Sequence, residues 1–337
     1  MQVGVNYPWF DYGWDFGSAP PDWRPSPAPR WLAEIDLHLR HFQRLGISVV
    51  RWFILGDGLT CGSGDTAPRP DPVLDNEWRF EVPDVDQTLM DHFDELLRRF
   101  EAVSAAADPI LLLPVLLDFH FCEPGIQPVA LRDPAGSAAT YDPSWVKQGR
   151  ADAIANPTTR AKFLDRVLVP LLEVSEAHRD AVYAWELINE PEWVTDGWHL
   201  DPRAECPIGE DEMRTFLDEG RARIRAAGFR STVGFASVDT LHASGVVAEI
   251  NQFHHYPAGA RRLDPHRLQG GCPTILGEFA SAPNDLWPEL SATAQTVFDR
   301  LTLAADRGYP LAMPWSFRAG DRYTLWSDAD VLRFNGT

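Results

Sequence analysis

The chain has 337 residues, of which 45% are hydrophobic, and this is ample for a large buried core. Its 49 acidic residues outnumber its 30 lysines and arginines, which gives a formal charge of −19. A field of this sign repels nucleic acid phosphates and anionic membrane surfaces. We therefore expect neither nucleic acid nor membrane as a partner, and a neutral or cationic partner fits better.

Cysteine usage and the N-terminal sequence bear on the cellular compartment. Cys61, Cys122, Cys206 and Cys272 have no C-x-x-C spacing and are too few to staple a domain of this size, so we expect mostly free thiols. No apolar run is long enough for a spanning helix, and no basic stretch precedes an apolar one at the N-terminus. These features favour a cytoplasmic protein, with a secreted protein trimmed of its signal peptide as the alternative.

Eight runs rich in Val, Ile, Leu and aromatic residues predict β-strands. They cover 2–8, 47–55, 109–119, 181–189, 231–237, 249–256, 273–279 and 310–317. Helical periodicity between them predicts helices over 30–45, 86–106, 157–178, 211–227 and 288–307, with short ones near 239–247 and 263–269.

Strands that alternate with helices imply a parallel sheet, and eight such units match a (β/α)8 TIM barrel. We expect one catalytic domain over 1–337, and a doubly wound sheet is the alternative. Because the chain ends at 337, the helix after the eighth strand is expected to be short or absent.

The connections differ in length on the two sides of the predicted barrel. Several links from a strand to the next helix are long, at 9–29, 56–85, 120–156 and 190–210, whereas links from a helix to the next strand are short. In a barrel the long links all emerge at the carboxyl ends of the strands, where active sites of this fold are built. We therefore expect the functional site on that side.

Polar residues end the predicted strands where a core would be apolar. They are Asn6, Arg51, Asp118, His120, Asn189, Glu190, His254, Tyr256 and Glu278, together with Trp315. Two carboxylates, Glu190 and Glu278, would face one another across the barrel mouth. Glycoside hydrolysis needs such a pair, a neutral acid for the leaving oxygen and an ionised carboxylate for the oxocarbenium-like centre.

The neighbours of the two glutamates suggest how their pKa values would be separated. Arg51 and Tyr256 are candidates to hold Glu278 ionised, while burial and the charge of Glu278 would keep Glu190 protonated. Glu186 lies inside its strand, so we interpret it as a buried residue that needs a polar partner. A metal site is the competing use of such residues, but no H-E-x-x-H spacing occurs, and we expect neither metal nor cofactor.

Tryptophans are concentrated in the predicted long loops and at the eighth strand. A flat aromatic ring can cover the apolar C–H face of a sugar while polar groups bind its hydroxyls. Trp315, at the end of a strand, is the one that we expect to bind substrate. The others in these regions are Trp9, Trp14, Trp23, Trp78, Trp145, Trp193, Trp198 and Trp326.

These residues, in this order, resemble clan A glycoside hydrolases, and family 5, the cellulase and mannanase family, most closely. Trp185-Glu186-Leu187-Ile188-Asn189-Glu190-Pro191 looks like the signature that carries the acid/base, and Ile275-Leu276-Gly277-Glu278-Phe279 looks like the nucleophile strand. In that family an Arg ends strand two, a His strand three, a His-x-Tyr strand six and a Trp strand eight. Here Arg51, His120, His254-His255-Tyr256 and Trp315 take those places.

The resemblance implies a retaining O-glycosyl hydrolase, with Glu278 as nucleophile and Glu190 as acid/base. The implied substrate-binding set is Arg51, His120, Asn189, His254, Tyr256 and Trp315. In it Asn189 would bind the 2-hydroxyl, Arg51 and Tyr256 would orient Glu278, His120 and His254 would line the glycone subsite and Trp315 would form its floor. His255 could replace His254 if the register differs by one.

Several alternatives stay open at this point. The partner would be a β-linked oligo- or polysaccharide of the β-mannan or β-glucan type, but mannose, glucose, galactose and xylose units all fit. The long loops suit either endo or exo action. A transglycosylase uses the same intermediate, with an acceptor subsite lined by Trp145, Trp193 or Trp198. A non-catalytic carbohydrate-binding barrel is the rival from another class, and we expect a monomer.

Overall fold

A computed structural model gives the arrangement of most of the chain. It describes residues 1–19, 28–62, 68–71, 77–106, 108–125, 127–132, 139–199, 204, 206–256, 263–264, 266–267, 270–280, 296–321, 324 and 326–336. For 69–71, 77–78, 127–132 and 139–145 it describes the backbone only.

Eight parallel strands form a closed barrel, as the sequence predicts. Each strand pairs with the next along the chain, and the eighth pairs with the first, where Gln2 lies opposite Leu311. The strands are β1 (Gln2–Asn6), β2 (Ile47–Phe53), β3 (Leu111–Asp118), β4 (Trp185–Asn189), β5 (Ser231–Phe235), β6 (Asn251–His254), β7 (Thr274–Ala280) and β8 (Leu311–Trp315). The single-domain (β/α)8 fold is therefore confirmed, and the doubly wound alternative is wrong.

Helices follow most of the strands. They are α1 (Ile35–Arg44), α2 (Gln87–Ser104), α3 (Asp152–Ala155), α4 (Pro157–Phe163), α5 (Val169–Ala177), α6 (Glu210–Ala226), α7 (Val238–Ser244), α8 (Val297–Asp306) and α9 (Asp328–Asn335). A π-helical turn, Leu164–Leu168, joins α4 to α5. The helix after the eighth strand is short, as expected. No helix in the described part of the chain is both long and apolar enough to cross a membrane.

Two expected helices differ from the structure. The short helix expected near 263–269 is wrong for 263–264 and 266–267, which are not helical. The helix expected over 288–307 is α8 from Val297, and 288–295 lie outside the described residues.

Two of the long loops contain antiparallel hairpins that the sequence did not indicate. The first pairs Arg69–Asp71 with Glu77–Arg79, and the second pairs Gln127–Arg132 with Ala139–Lys147.

The barrel interior changes from apolar to polar along the strands. On β2 the inward positions are Val49, Arg51 and Phe53, because side chains two residues apart share a face. Val49 belongs to an apolar layer with Leu113, Ile275 and Met313 at the start of the strands. Arg51 belongs to a buried polar layer, and Phe53 packs with Val115 and Trp315 at the top. The strand ends are therefore the polar and aromatic side of the barrel.

Candidate active site

Arg51 is the centre of the polar layer. It is fully buried and donates from Nε and Nη2 to the two carboxylate oxygens of Glu186, at 2.7 and 2.5 Å. Its Nη1 donates to Asn6 Oδ1 at 2.9 Å and to Glu278 Oε1 at 2.5 Å, and Nη2 also donates to Asn189 Oδ1 at 2.8 Å. All five N–H donors of the guanidinium are thus used by the protein.

This arrangement bears on two expectations about the polar layer. Glu186 does have polar partners, because it binds Arg51 and also accepts from Gln252 Nε2 at 2.8 Å. Arg51 was placed in the substrate-binding set, but its side chain has no exposed surface and no free donor. It therefore positions Glu278 and Asn189 from below instead of contacting a ligand.

Glu278 is held by hydrogen bonds to both of its carboxylate oxygens. Arg51 donates to Oε1, and the hydroxyl of Tyr256 donates to Oε2. Burial raises the pKa of the Glu278 carboxyl above its usual value, while the positive charges of His254 and Arg51 act in the opposite direction. Burial and the neighbouring charge of Glu278 raise the pKa of Tyr256 well above its usual value. The hydroxyl of Tyr256 therefore stays protonated and remains a hydrogen-bond donor to Glu278.

Glu190 follows β4 directly and has a left-handed backbone conformation, with φ 48° and ψ 53°. A non-glycine residue in this region is uncommon, and such residues cluster at functional sites. The Glu190 N–H donates to the carbonyl of Gly234 on β5, and the turn Pro191–Trp193 follows at once. Trp193 Nε1 donates to Glu190 Oε2 at 2.8 Å, which fixes the carboxyl group in the barrel mouth.

His254 lies between the two glutamates. Its Nδ1 is 2.7 Å from Glu190 Oε1 and 3.6 Å from Glu278 Oε2. Burial alone would lower the pKa of His254, but the charges of Glu278 and Glu190 raise it above its usual value. Both His254 and His255 line the cavity, and the backbone N–H of His255 donates to the carbonyl of Glu278.

Asn189 connects the polar layer to β3. Its Nδ2 donates to Asp118 Oδ2 at 2.8 Å, while its Oδ1 accepts from Arg51. Asp118 Oδ1 accepts from the backbone N–H of His120 and also contacts His120 Nδ1. The side chain of His120 is 43% exposed, so the ring faces the open space above the strands. This chain of contacts orients both Asn189 and His120.

The strand ends surround one cavity of about 980 Å³, which is in the upper range for ligand sites. Its lining includes Glu190, Glu278 and every residue of the expected substrate-binding set except Arg51. Of the expected tryptophans, Trp9, Trp193 and Trp315 line it, whereas Trp14 and Trp198 are buried elsewhere. Trp23 and the side chains of Trp78 and Trp145 lie outside the described residues.

The carboxyl groups of the two glutamates lie close together beside His254. Oxygens of Glu190 and Glu278 and a ring nitrogen of His254 all lie within 4.8 Å of one another. Carboxyl groups about 5–5.5 Å apart suit a retaining glycosidase, whereas inverting enzymes need about 6.5–9.5 Å for the attacking water. The same three groups could ligate a cation, but the Arg51 guanidinium on Glu278 opposes a second positive charge there.

Two neighbours of Glu190 were not found from the sequence. Trp193 was considered only for an acceptor subsite, although it binds the Glu190 carboxyl. Glu192 is fully buried, accepts from the Ala236 N–H at 2.7 Å and has a second oxygen without a hydrogen bond to any described residue. Burial, reinforced by the charge of Glu190, raises the pKa of Glu192 to about 8. The apolar residues next to Glu192 in the sequence were the only indication that its side chain would be buried.

Solved structures with the same architecture include β-mannanases and β-glucanases. The endo-1,4-β-mannanase of Eisenia fetida is 19% identical with a TM-score of 0.64, and covers 99% of this chain and 89% of its own. The β-mannanase of the blue mussel Mytilus edulis is 18% identical with a TM-score of 0.62, and the match covers 99% of this chain and 90% of the mussel enzyme.

A lichenase of glycoside hydrolase family 5 from a Caldicellulosiruptor species is 10% identical with a TM-score of 0.56, and the match covers 99% of this chain and 92% of the lichenase. No protein-family model and no curated protein matches the sequence. At these identities the comparisons show a shared fold, a (β/α)8 barrel like those of family 5.

Proposed function

We propose that this protein is a retaining β-glycoside hydrolase, with Glu278 as nucleophile and Glu190 as acid/base. The observation that carries the proposal is the pair itself: two carboxyl groups with oxygens within 4.8 Å of one another at the mouth of a barrel. The two carboxyl groups have different hydrogen-bond partners. Glu278 has a guanidinium and a hydroxyl as donors, whereas Glu190 contacts the Trp193 indole and the His254 ring and is the more exposed of the two.

The residues support a double displacement. In the first step Glu278 attacks the anomeric carbon, the bond to the leaving oxygen breaks, and Glu190 gives its proton to that oxygen. In the second step Glu190 takes a proton from water, the water oxygen bonds to the anomeric carbon, and the bond to Glu278 breaks. His254 and Trp193 keep the Glu190 carboxyl in place through both steps, and Arg51 stabilises the carboxylate that departs.

The proposed substrate is a β-linked oligo- or polysaccharide, with β-mannan and β-glucan as the first candidates. The aromatic lining of Trp9, Trp193 and Trp315 suits the apolar faces of pyranose rings, and the carboxylates and His120 suit their hydroxyls. Mannanases and a lichenase share the fold, which supports testing mannan and mixed-linkage glucan before other polymers.

A transglycosylase and a non-catalytic sugar-binding barrel are the rival proposals. The acceptor subsite that would favour transglycosylation has weak support, because Trp198 is buried and only Trp193 of the three tryptophans lines the cavity among the described side chains. Nothing in the site favours a non-catalytic binding barrel, because both glutamates are present at the barrel mouth with polar partners beside them.

The test uses aryl β-glycosides and β-1,4-linked manno- and gluco-oligosaccharides with three proteins: wild type, Glu278→Ala and Glu190→Ala. We expect Glu278→Ala to lose on the order of 10⁴-fold or more in kcat. Azide should then yield the α-glycosyl azide. Glu190→Ala should lose about 10²–10⁴-fold on poor leaving groups but far less on dinitrophenyl glycosides, and azide should yield the β-glycosyl azide.

Glu176→Gln is the matched control, because Glu176 is an exposed carboxylate on α5. It should retain wild-type turnover. Wild-type protein that binds but does not cleave any β-glycoside would favour the binding barrel. Cleavage that survives either active-site substitution would contradict the assignment, and wild-type products longer than the substrate would favour transglycosylation.

A further inference from the structure

A cluster of three residues, Tyr12, Asp57 and Lys147, joins the first three long loops at one side of the cavity. Lys147 Nζ lies 3.1 Å from Asp57 Oδ2 and 4.0 Å from the centre of the Tyr12 ring, so it makes an ion pair and a cation–π contact at once. Asp57 and Tyr12 line the cavity, and the Tyr12 hydroxyl lies beside the Asp57 carboxylate.

The loops at this cluster are firmly connected below it. The N–H of Gln148 donates to the carbonyl of Asp57, and the buried guanidinium of Arg150 donates to the carbonyls of Cys61 and Gly62. A Cβ at Gly13, whose φ is +72°, would lie 2.9 Å from the Leu59 side chain, so the first and second loops are also in close contact. In the described parts of the three loops, these contacts hold the loops against one another on this side of the cavity.

The chemistry of the proposed reaction identifies which side of the cavity these loops occupy. The acid must face the leaving oxygen, so the leaving group lies beyond Glu190, towards Trp193 and the start of α7. The glycone then lies over Glu278 and extends away from Glu190. An aromatic path runs in that direction: the Trp315 and Trp9 rings are 6.0 Å apart, and the Trp9 and Tyr12 rings are 4.7 Å apart.

We propose that the cluster of Tyr12, Asp57 and Lys147 closes the glycone end of the cavity, so that this hydrolase acts on the non-reducing ends of its β-linked substrate. This inference rests on the proposed function. The Tyr12 ring, 41% exposed, would contact the terminal sugar unit, while the buried Asp57 carboxylate, which pairs with Lys147 and lies beside the Tyr12 hydroxyl, would hold that ring in place. Lys147 does not line the cavity; it fixes the other two residues from behind.

The test follows the first products from β-1,4-linked pentasaccharides that carry a label at the reducing end, by mass spectrometry. The wild-type protein should release short unlabelled fragments from the other end. Lys147→Met should raise the ratio of internal to terminal cleavage roughly fivefold, as expected for loss of one partly exposed ion pair and one cation–π contact. Lys147→Arg, which keeps the charge, should stay close to wild type.

The chain offers a matched control, because its only other lysine, Lys162, is exposed on α4. Lys162→Met should leave the product pattern unchanged. If Lys147→Met does not fold, Tyr12→Ala replaces it, with a rise in KM for pentasaccharides larger than that for aryl monosaccharide glycosides.

Two results would overturn the inference. One is early internal fragments from the wild-type protein, and the other is a terminal pattern that neither Lys147→Met nor Tyr12→Ala changes. Both differ from failure of the proposed function, which would appear as no hydrolysis of aryl β-glycosides at all.

Discussion

At the scale of single residues, Arg51 balances the charges of two buried carboxylates. Glu186 and Glu278 are both almost fully buried, and Arg51 is the guanidinium that contacts each of them. A buried charge pair contributes little net stability compared with apolar residues, but removal of one partner leaves an uncompensated charge. The network is therefore needed to hold Glu278 in position, and it adds little to the stability of the protein.

Arg51→Met should lower the free energy of unfolding by about 3–5 kcal/mol, because Glu186 and Glu278 would stay buried without their partner. It should also move the acidic limb of the kcat/KM profile to higher pH. Arg51 lowers the pKa of Glu278, and the nucleophile must be ionised, so loss of the guanidinium raises the pH at which ionisation occurs. Chemical denaturation and a pH–rate profile measure the two effects.

Arg98→Met is the control for that substitution. Arg98 is 61% exposed and pairs with Asp94 within α2 at 2.6 Å. A surface pair of this kind should contribute less than about 1 kcal/mol. An Arg51 variant no less stable than the Arg98 variant, with an unshifted acidic limb, would contradict the role given to Arg51.

Glu192 differs from Glu186 and Glu278, because it forms no direct ion pair with a described residue, and the charge that favours its ionised form, that of His254, is more distant. Its pKa of about 8 in the fold lies above the value near 4.3 of an unfolded Glu. The folded protein therefore binds a proton that the unfolded chain releases, and the free energy of unfolding falls as pH rises from about 4 to about 8.

Glu192→Gln should remove this loss and stabilise the protein by about 1–3 kcal/mol at pH 8, with little change at pH 4. Thermal unfolding across that range is the measurement. Glu176→Gln, at an exposed site, should show no such pH-dependent difference from wild type. A Glu192 variant that is destabilised equally at both pH values would show instead that the buried carboxyl is ionised and paired.

At the scale of elements, strands were predicted better than loops. The barrel strands are apolar runs such as Leu111–Asp118, and burial on both faces leaves a continuous hydrophobic signal. The hairpin strand Arg69–Asp71 has the sequence Arg-Pro-Asp, which carries no such signal. The position of residues at the strand ends could be predicted, because the strands themselves were recognisable. Contacts inside the loops could not, because they depend on distant parts of the chain.

Helices are joined to one another by polar contacts that the sequence does not indicate. His178 follows α5 and lies between Asp94 and Glu101 of α2, with Nε2 and Nδ1 at 2.9 and 2.8 Å from their carboxylates. Burial alone would lower the pKa of His178, but these hydrogen bonds and charges raise it above its usual value. The imidazolium therefore connects the two helices.

His178→Asn should destabilise the protein by about 1 kcal/mol below pH 6, since the two carboxylates are partly exposed. The pKa is raised in the fold, so the stabilisation is complete below the unfolded value near 6.5 and is lost as pH rises through the folded value. Unfolding at pH 5.5 and pH 9 should show a larger deficit at the lower pH. An equal deficit at both would mean that the contact does not depend on the charge of His178.

At the scale of the whole molecule, the meeting of the two glutamates could be predicted from sequence because Glu190 directly follows β4 and Glu278 lies near the carboxyl end of β7 in a closed barrel. Once the order of strands is known, residues 190 and 278 must meet at one face, whatever their separation along the chain. The contacts of Trp193 and Glu192 with the Glu190 turn could not be predicted in this way. These contacts depend on how one loop folds over its neighbour. Trp and Glu also occur in many other structural roles, so the residue types alone do not indicate the contacts.

The acidic character of the molecule extends to the cavity. Its described lining includes the carboxylates of Asp15, Asp57, Asp118, Asp239, Asp264 and Asp321 besides the two glutamates, and no lysine or arginine. Carboxylates accept hydrogen bonds from sugar hydroxyls and repel anionic groups. The carboxylates are therefore compatible with the neutral sugars that we propose as substrates.

The most direct test of the double displacement is the anomeric configuration of the first product. Proton NMR during the first minutes of hydrolysis of an activated aryl β-glycoside by the wild-type protein distinguishes the two anomers before they interconvert. Retention through a glycosyl–Glu278 intermediate predicts that the β-anomer appears first and the α-anomer only later by mutarotation. An α-anomer that appears first would mean direct attack by water, and would contradict the roles given to Glu190 and Glu278.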